Sequence, residues 1–198
     1  EEDFYDELDQ DVNLLCFKNG VYELESGEHR DGKPEDKLSV QINYNMSVDK
    51  SKYYEDVAQF FKDIMPNDEN RMYLKKLLGS SLLGENEEQI INIFTGSGAN
   101  GKSIMNNLLE HTLGEYYKSI DSSVITQKDN KGGGNPEIMN LKNVRLLTCL
   151  EPGSSKKLNT ELIKKLSGGD NITGRFLFSN KMESFKSTFQ LIISCNDI

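Results

Sequence analysis

The chain has 198 residues, enough for one ordinary domain with a real core plus a smaller appendage. Its net charge of -9 argues against a generally basic nucleic-acid coat. No apolar run approaches the ~20 residues of a membrane span, and the acidic opening Glu1-Glu2-Asp3-Phe4-Tyr5-Asp6-Glu7 is unlike a signal peptide, so a soluble intracellular protein is expected. Cys16, Cys149 and Cys195 are scattered and odd in number, which excludes a disulfide framework and reads as reduced thiols; His29 and His111 are too far apart in sequence to suggest a metal site or a Ser-His hydrolase.

Taken in chain order, the first dozen residues read as an acidic linker or frayed end. From Asn13 to Asn45 the apolar stretches Leu14 to Phe17, Val21 to Leu24 and Leu38 to Ile42 alternate with the turn signals Asn19-Gly20, Ser26-Gly27 and Asp31-Gly32-Lys33-Pro34, which predicts a small β-meander. Two helical patterns follow. One runs from Lys52 to Met65 with Val57, Phe60, Phe61 and Ile64 on its apolar face, and the other from Asp68 to Leu83 ends at Gly84. They should form a helical hairpin. Together these elements make a first region, residues 1–89, bounded by the polar patch Gly84 to Gln89.

The second region, residues 90–198, opens with the apolar run Ile90 to Thr95 and then Gly96-Ser97-Gly98-Ala99-Asn100-Gly101-Lys102-Ser103, which fits G-x-x-x-x-G-K-[ST]. A helix-like stretch, Ile104 to Leu113, comes next. Strand, glycine loop and helix in that order are the context of a P-loop. Glycines let the backbone curl so that its N–H groups face a polyphosphate, and the helix adds its positive N-terminal end. Lys102 should reach the β- and γ-phosphates of ATP, and Ser103 should place its hydroxyl on Mg²⁺.

Residues 120–140 hold Lys128 to Pro136, too rich in breakers for a regular element, and read as a mobile loop. The apolar run Val144 to Leu150 ends at Glu151, the candidate acid for holding Mg²⁺ or polarising water. Pro152 stands where many such motifs carry a second acid. A helix is expected from Asn159 to Leu166, a hairpin from Asn171 to Phe185, and a strand from Phe189 to Cys195 that ends in Asn196. That neutral amide could sense which nucleotide is bound. Charge is uneven: residues 1–89 hold ten basic against 22 acidic side chains, while residues 142–186 hold nine against four. A polyanion should meet the latter segment.

The order GSGANGKS, NPEIMNLKNVRLLTCLEP, IKKLSGGDNITGR and FKSTFQLIISCND resembles the superfamily 3 helicases, and specifically the poxvirus-type primase-helicases of the nucleocytoplasmic large DNA viruses. Phe17 to Leu24 and Asp31 to Asp36 also resemble the segment preceding that family's helicase domain. The resemblance implies an α/β P-loop NTPase of AAA+-like type, preceded by the β-meander and helical hairpin as a collar or linker, and assembled into a hexameric ring around DNA. It implies phosphate and Mg²⁺ roles for Lys102 and Ser103, a Walker B role for Glu151, a sensor role for Asn196, and DNA contact through the segment that contributes Lys164, Lys165 and Arg175, with Lys181 nearby. An upstream primase domain is a further implied partner. An arginine finger, worth about 10³ to 10⁵ in rate, is expected beyond the sensor, and the chain ends two residues after Asn196. Mg-ATP binding with weak hydrolysis is therefore the expectation for what reads as an excised fragment. Two alternatives stay open: another P-loop phosphotransferase, or an assembly module whose bound nucleotide joins subunits with little hydrolysis.

Overall fold

The computed structural model describes residues 2–47, 49, 51–126, 136–150, 157–175 and 182–196, in two compact units, Glu1–Leu83 and Gly84–Ile198. In the first unit, α1 (Glu2–Asp6) precedes an antiparallel meander of β1 (Leu14–Phe17), β2 (Gly20–Glu23) and β3 (Glu28–Arg30). Leu14, Leu15, Phe17, Val21 and Ile42 are buried around it. Phe17 pairs with Gly20, leaving a two-residue turn. Gly20 has φ +141°, and a Cβ there would sit 2.3 Å from the Arg30 carbonyl oxygen, so strand β3 closes on a position only glycine can occupy.

Two expectations are corrected here. The third strand is Glu28–Arg30 and not the apolar stretch 38–42, which contributes a single parallel bridge from Ile42 to Phe17. Ion pairing explains the exchange. Arg30 donates from Nε to Glu23 at 2.5 Å and through both terminal nitrogens to Asp36 at 2.8 and 2.9 Å, which fixes β3 without apolar alternation. Meanwhile the Asp9 carboxylate takes the backbone N–H groups of Ser39 (2.7 Å) and Val40 (3.3 Å), diverting them from a ladder. The same contacts correct the frayed-end reading: α1 is helical, and Asp9 donates its N–H to the Lys37 carbonyl at 2.8 Å.

Helices α2 (Tyr54–Ile64) and α3 (Asp68–Ser80) form the predicted hairpin, and a 3-10 turn, Ser81–Leu83, follows. Asn67 caps α3 by accepting from the Asn70 N–H at 2.9 Å. α3 buries Leu74 and Leu77, whereas no residue of α2 is fully buried.

The second unit is a four-stranded, wholly parallel sheet in the order β4-β9-β6-β5. Its elements run β4 (Ile91–Thr95), α4 (Lys102–Leu113), β5 (Tyr117–Asp121), α5 (Ser122–Thr126), α6 (Pro136–Met139), β6 (Leu146–Leu150), α7 (Thr160–Ser167), β7 (Asn171–Gly174), β8 (Glu183–Lys186) and β9 (Gln190–Cys195). β7 and β8 are a separate antiparallel hairpin. β5 is an addition to the predicted elements; Lys118, Ser119 and Asp121 hide it from an apolar-run reading, and its place at the sheet edge tolerates them. α5 and α6 likewise stand within the stretch expected to be irregular, while residues 127–135 lie outside the described residues.

Right-handed crossovers put helices on opposite faces according to the direction of travel. The chain crosses the sheet one way from β4 to β5 through α4 and returns through α5, α6 and α7, so α4 takes the face opposite to those three. The register agrees. Ile120, Leu147, Cys149, Leu191 and Ile193 share one face with the buried side chains of α5, α6 and α7, including Ile125, Met139, Leu162 and Leu166. The other face carries Asn92, Thr148, Gln190 and Ser194, all buried. α4 adds buried Asn106 beside Met105, Leu109 and Leu113.

Candidate functional site

The glycine loop joins edge strand β4 to α4, at the carboxyl end of the sheet where open parallel α/β folds bind their ligands. Gly101, at φ +87°, is the helix cap and turns the chain into α4; Ala99 also holds a left-handed φ of +62°. Gly96 leaves room for a neighbour: a Cβ there would lie 1.9 Å from Asn100 Nδ2. Gly98 has open space around its Cβ direction, so the backbone between Gly96 and Gly101 is accessible to a large anion.

Lys102 is the first residue of α4. Its ammonium donates to the Gly96 carbonyl at 2.7 Å, to Asn100 Oδ1 at 3.1 Å and to Asn196 Oδ1 at 3.3 Å. The last contact spans 94 positions of sequence. Adjacent parallel strands make it, because β4 and β9 pair from Ile91 with Leu191 to Thr95 with Cys195 and so deliver Gly96 and Asn196 to the same end. Ser103 is exposed in the first turn of α4. The loop fits a polyphosphate on these grounds: a lysine ammonium at its end, a helix N-terminus beneath it, and glycines along its backbone. Glu151 lies outside the described residues; Leu150, just before it, pairs with Ser194 of β9.

The basic residues fall in two places. Lys164 and Lys165 stand exposed on helix α7 and not on the hairpin. Lys165 is 4.0 Å from Glu161, and Lys164 lines an open recess of about 490 Å³ with Gln89, Ser167, Gly168, Gly169 and Asp170. Arg175 is exposed just past the far end of β7. Lys181 lies outside the described residues. Sequence reasoning missed the polar seam under α4. Asn92 Nδ2, Ser194 Oγ and both amide atoms of Asn106 are buried with no hydrogen-bond partner among the described residues, and the only sequence signal was polar residues at positions where the strand and helix periods call for apolar ones.

The chain thus forms a parallel α/β unit in which a glycine loop joins an edge strand to a helix whose first lysine hydrogen-bonds the residue after the neighbouring strand. Comparison with known proteins finds viral relatives. Residues 2–66 match the family model described as D5 N terminal like. "Putative helicase L207/L206" of Acanthamoeba polyphaga mimivirus is 37% identical over 198 residues, covering 98% of this chain and 20% of its own. "Putative helicase 121R" of Invertebrate iridescent virus 3 is 30% identical, over 100% of this chain and 22% of its own. "Uncoating factor OPG117" of Vaccinia virus is 30% identical over 96% of this chain and 26% of its own. The chain is thus similar along nearly its whole length to these viral proteins, in agreement with the family that its motifs resemble. It spans about a fifth to a quarter of the length of these relatives. In fold it is similar to the apo structure of the NrS-1 C-terminal region, with a TM-score of 0.55 over 80% of this chain and 36% of that one at 17% identity. Among the described residues no helix is long and apolar enough to cross a membrane.

Proposed function

We propose that this chain holds the ATPase core of a viral replicative DNA helicase, an AAA+-like P-loop unit that couples ATP hydrolysis to movement along single-stranded DNA. The observation that carries the reading is the meeting of Lys102 and Asn196 at the carboxyl ends of β4 and β9. One is the loop's cation and the other a neutral amide at the tip of the neighbouring strand. Such a pair can hold a terminal phosphate and report on it.

In this reading the Gly96 to Ser103 backbone and the N-terminus of α4 receive the phosphates, and Lys102 neutralises their charge. Ser103 and Glu151 would hold Mg²⁺, which when bound supplies further positive charge to the phosphate oxygens. Asn196 orients water or a γ-phosphate oxygen by hydrogen bonding. Lys164, Lys165, Arg175 and Lys181 offer cations to a DNA backbone without reading bases. Assembly into a hexameric ring and a primase partner belong to the same proposal.

Steady-state ATP turnover with and without single-stranded DNA, on a chain extended past Ile198 far enough to include a following arginine and with Lys102→Ala beside it, tests the reading. DNA-stimulated turnover that the substitution abolishes is the expected outcome. Turnover indifferent to DNA would mark another P-loop enzyme, and Mg-ATP binding with no turnover would mark the assembly module.

A further inference from the structure

The Lys102 ammonium is ligated by three oxygens, of Gly96, Asn100 and Asn196, which is the full hydrogen-bonding capacity of its three donors. An ammonium has donors only, so both asparagines must turn Oδ1 toward it and their Nδ2 groups away. For Asn100 the result is visible: its Nδ2 lies against Gly96, in the space that a side chain at 96 would fill. Asn100 is thus wedged between Gly96 and Lys102. It reaches the ammonium from within the loop, while Asn196 reaches it from β9.

We propose that Asn100 and Asn196 form a clasp that competes with the triphosphate for Lys102. Nucleotide binding and opening of the clasp are then one exchange. The proposal rests on the nucleotide reading above and adds a direction to it: Asn100 is a positioning residue that opposes binding. A group that donated to phosphate would favour it. The exchange also gives β9 its signal. While Lys102 holds Asn196 Oδ1, the ammonium ties the loop to the end of β9; movement of the ammonium to phosphate oxygen breaks that tie. Asn100 sets how readily that happens.

The sign of an affinity change decides the matter. Mg-ATP affinity is measured by calorimetry on the intact chain, its Asn100→Ala and Asn100→Asp variants, and Lys102→Ala. Removing a competing charge-assisted hydrogen bond should tighten Mg-ATP binding in Asn100→Ala, by up to about tenfold. A carboxylate against the ammonium should weaken binding in Asn100→Asp. A second readout needs no nucleotide: the Lys102 ammonium resonance in the free protein should be protected from solvent exchange relative to that of exposed Lys62, and Asn100→Ala should lose part of that protection. Weaker Mg-ATP binding in Asn100→Ala, or a Lys102 ammonium that exchanges like Lys62, overturns the clasp while leaving the nucleotide reading intact. If the parent chain binds no Mg-ATP and Lys102→Ala is indifferent, the nucleotide reading falls, and the exchange falls with it.

Discussion

At the scale of single residues, charge and burial set two measurable behaviours. Hydrogen bonding from Arg30 holds the Asp36 carboxyl below its ordinary range, and the same guanidinium lowers Glu23. A depressed carboxylate stabilises the fold above its unfolded-state pKa and loses that contribution as pH falls through the lower, folded value. The thermal stability of the first unit should therefore decline in acid below the usual carboxylate range. Asp36→Asn should lower stability at neutral pH and flatten that part of the profile, which melting curves recorded across pH would show. The Cys149 thiol is pushed up to about 12 by burial, with the Asp121 carboxylate adding to the effect. As the thiolate is the reactive form, Cys149 should resist alkylation at pH 8 in the folded chain and react once denaturant is added, as mass spectrometry of the modified peptides would reveal.

At the scale of elements, legibility in the sequence follows from how self-contained each signal is. α2, α3, α4, α7, β6, β9 and the β7–β8 hairpin announce themselves through their own apolar period, turn residues and caps. The glycine loop is a local motif, so Lys102 and Ser103 can be named directly from it. β3 and β5 escape such a reading for one shared physical reason: their stability comes from neighbours. β3 is held by the Arg30 bridges to Glu23 and Asp36, and β5 by its ladder with β6 from Tyr117 with Leu146 to Asp121 with Leu150. The clasp around Lys102 is equally hidden, because its asparagines meet only after β4 and β9 pair. Caps work locally and can be tested locally. Asn159 Oδ1 accepts from the Leu162 N–H at 3.1 Å at the start of α7, so Asn159→Ala should cost about 1 kcal/mol of stability, read from denaturant unfolding against the parent chain.

At the scale of the whole molecule, charge separates the two regions: the first 89 residues are strongly acidic, and residues 142–186 carry the basic excess. If the latter meets DNA, affinity should fall with salt. Lys164→Ala combined with Lys165→Ala should weaken binding and reduce the slope of log affinity against log salt by about 0.7 for each single-strand phosphate that the two lysines neutralise. Fluorescence anisotropy with an oligonucleotide at several salt concentrations measures both, and an unchanged slope would remove α7 from the interface. The parallel sheet is also asymmetric through its thickness. Beneath α5, α6 and α7 it is hydrocarbon; the other face mixes fully buried Leu146 and Ile192 with Asn92, Thr148, Gln190 and Ser194, and the buried Asn106 amide of α4 is unsatisfied among the described residues. The two sides of the sheet therefore differ in what holds them: close packing alone on one, and on the other apolar packing that carries the cost of unmet polar groups.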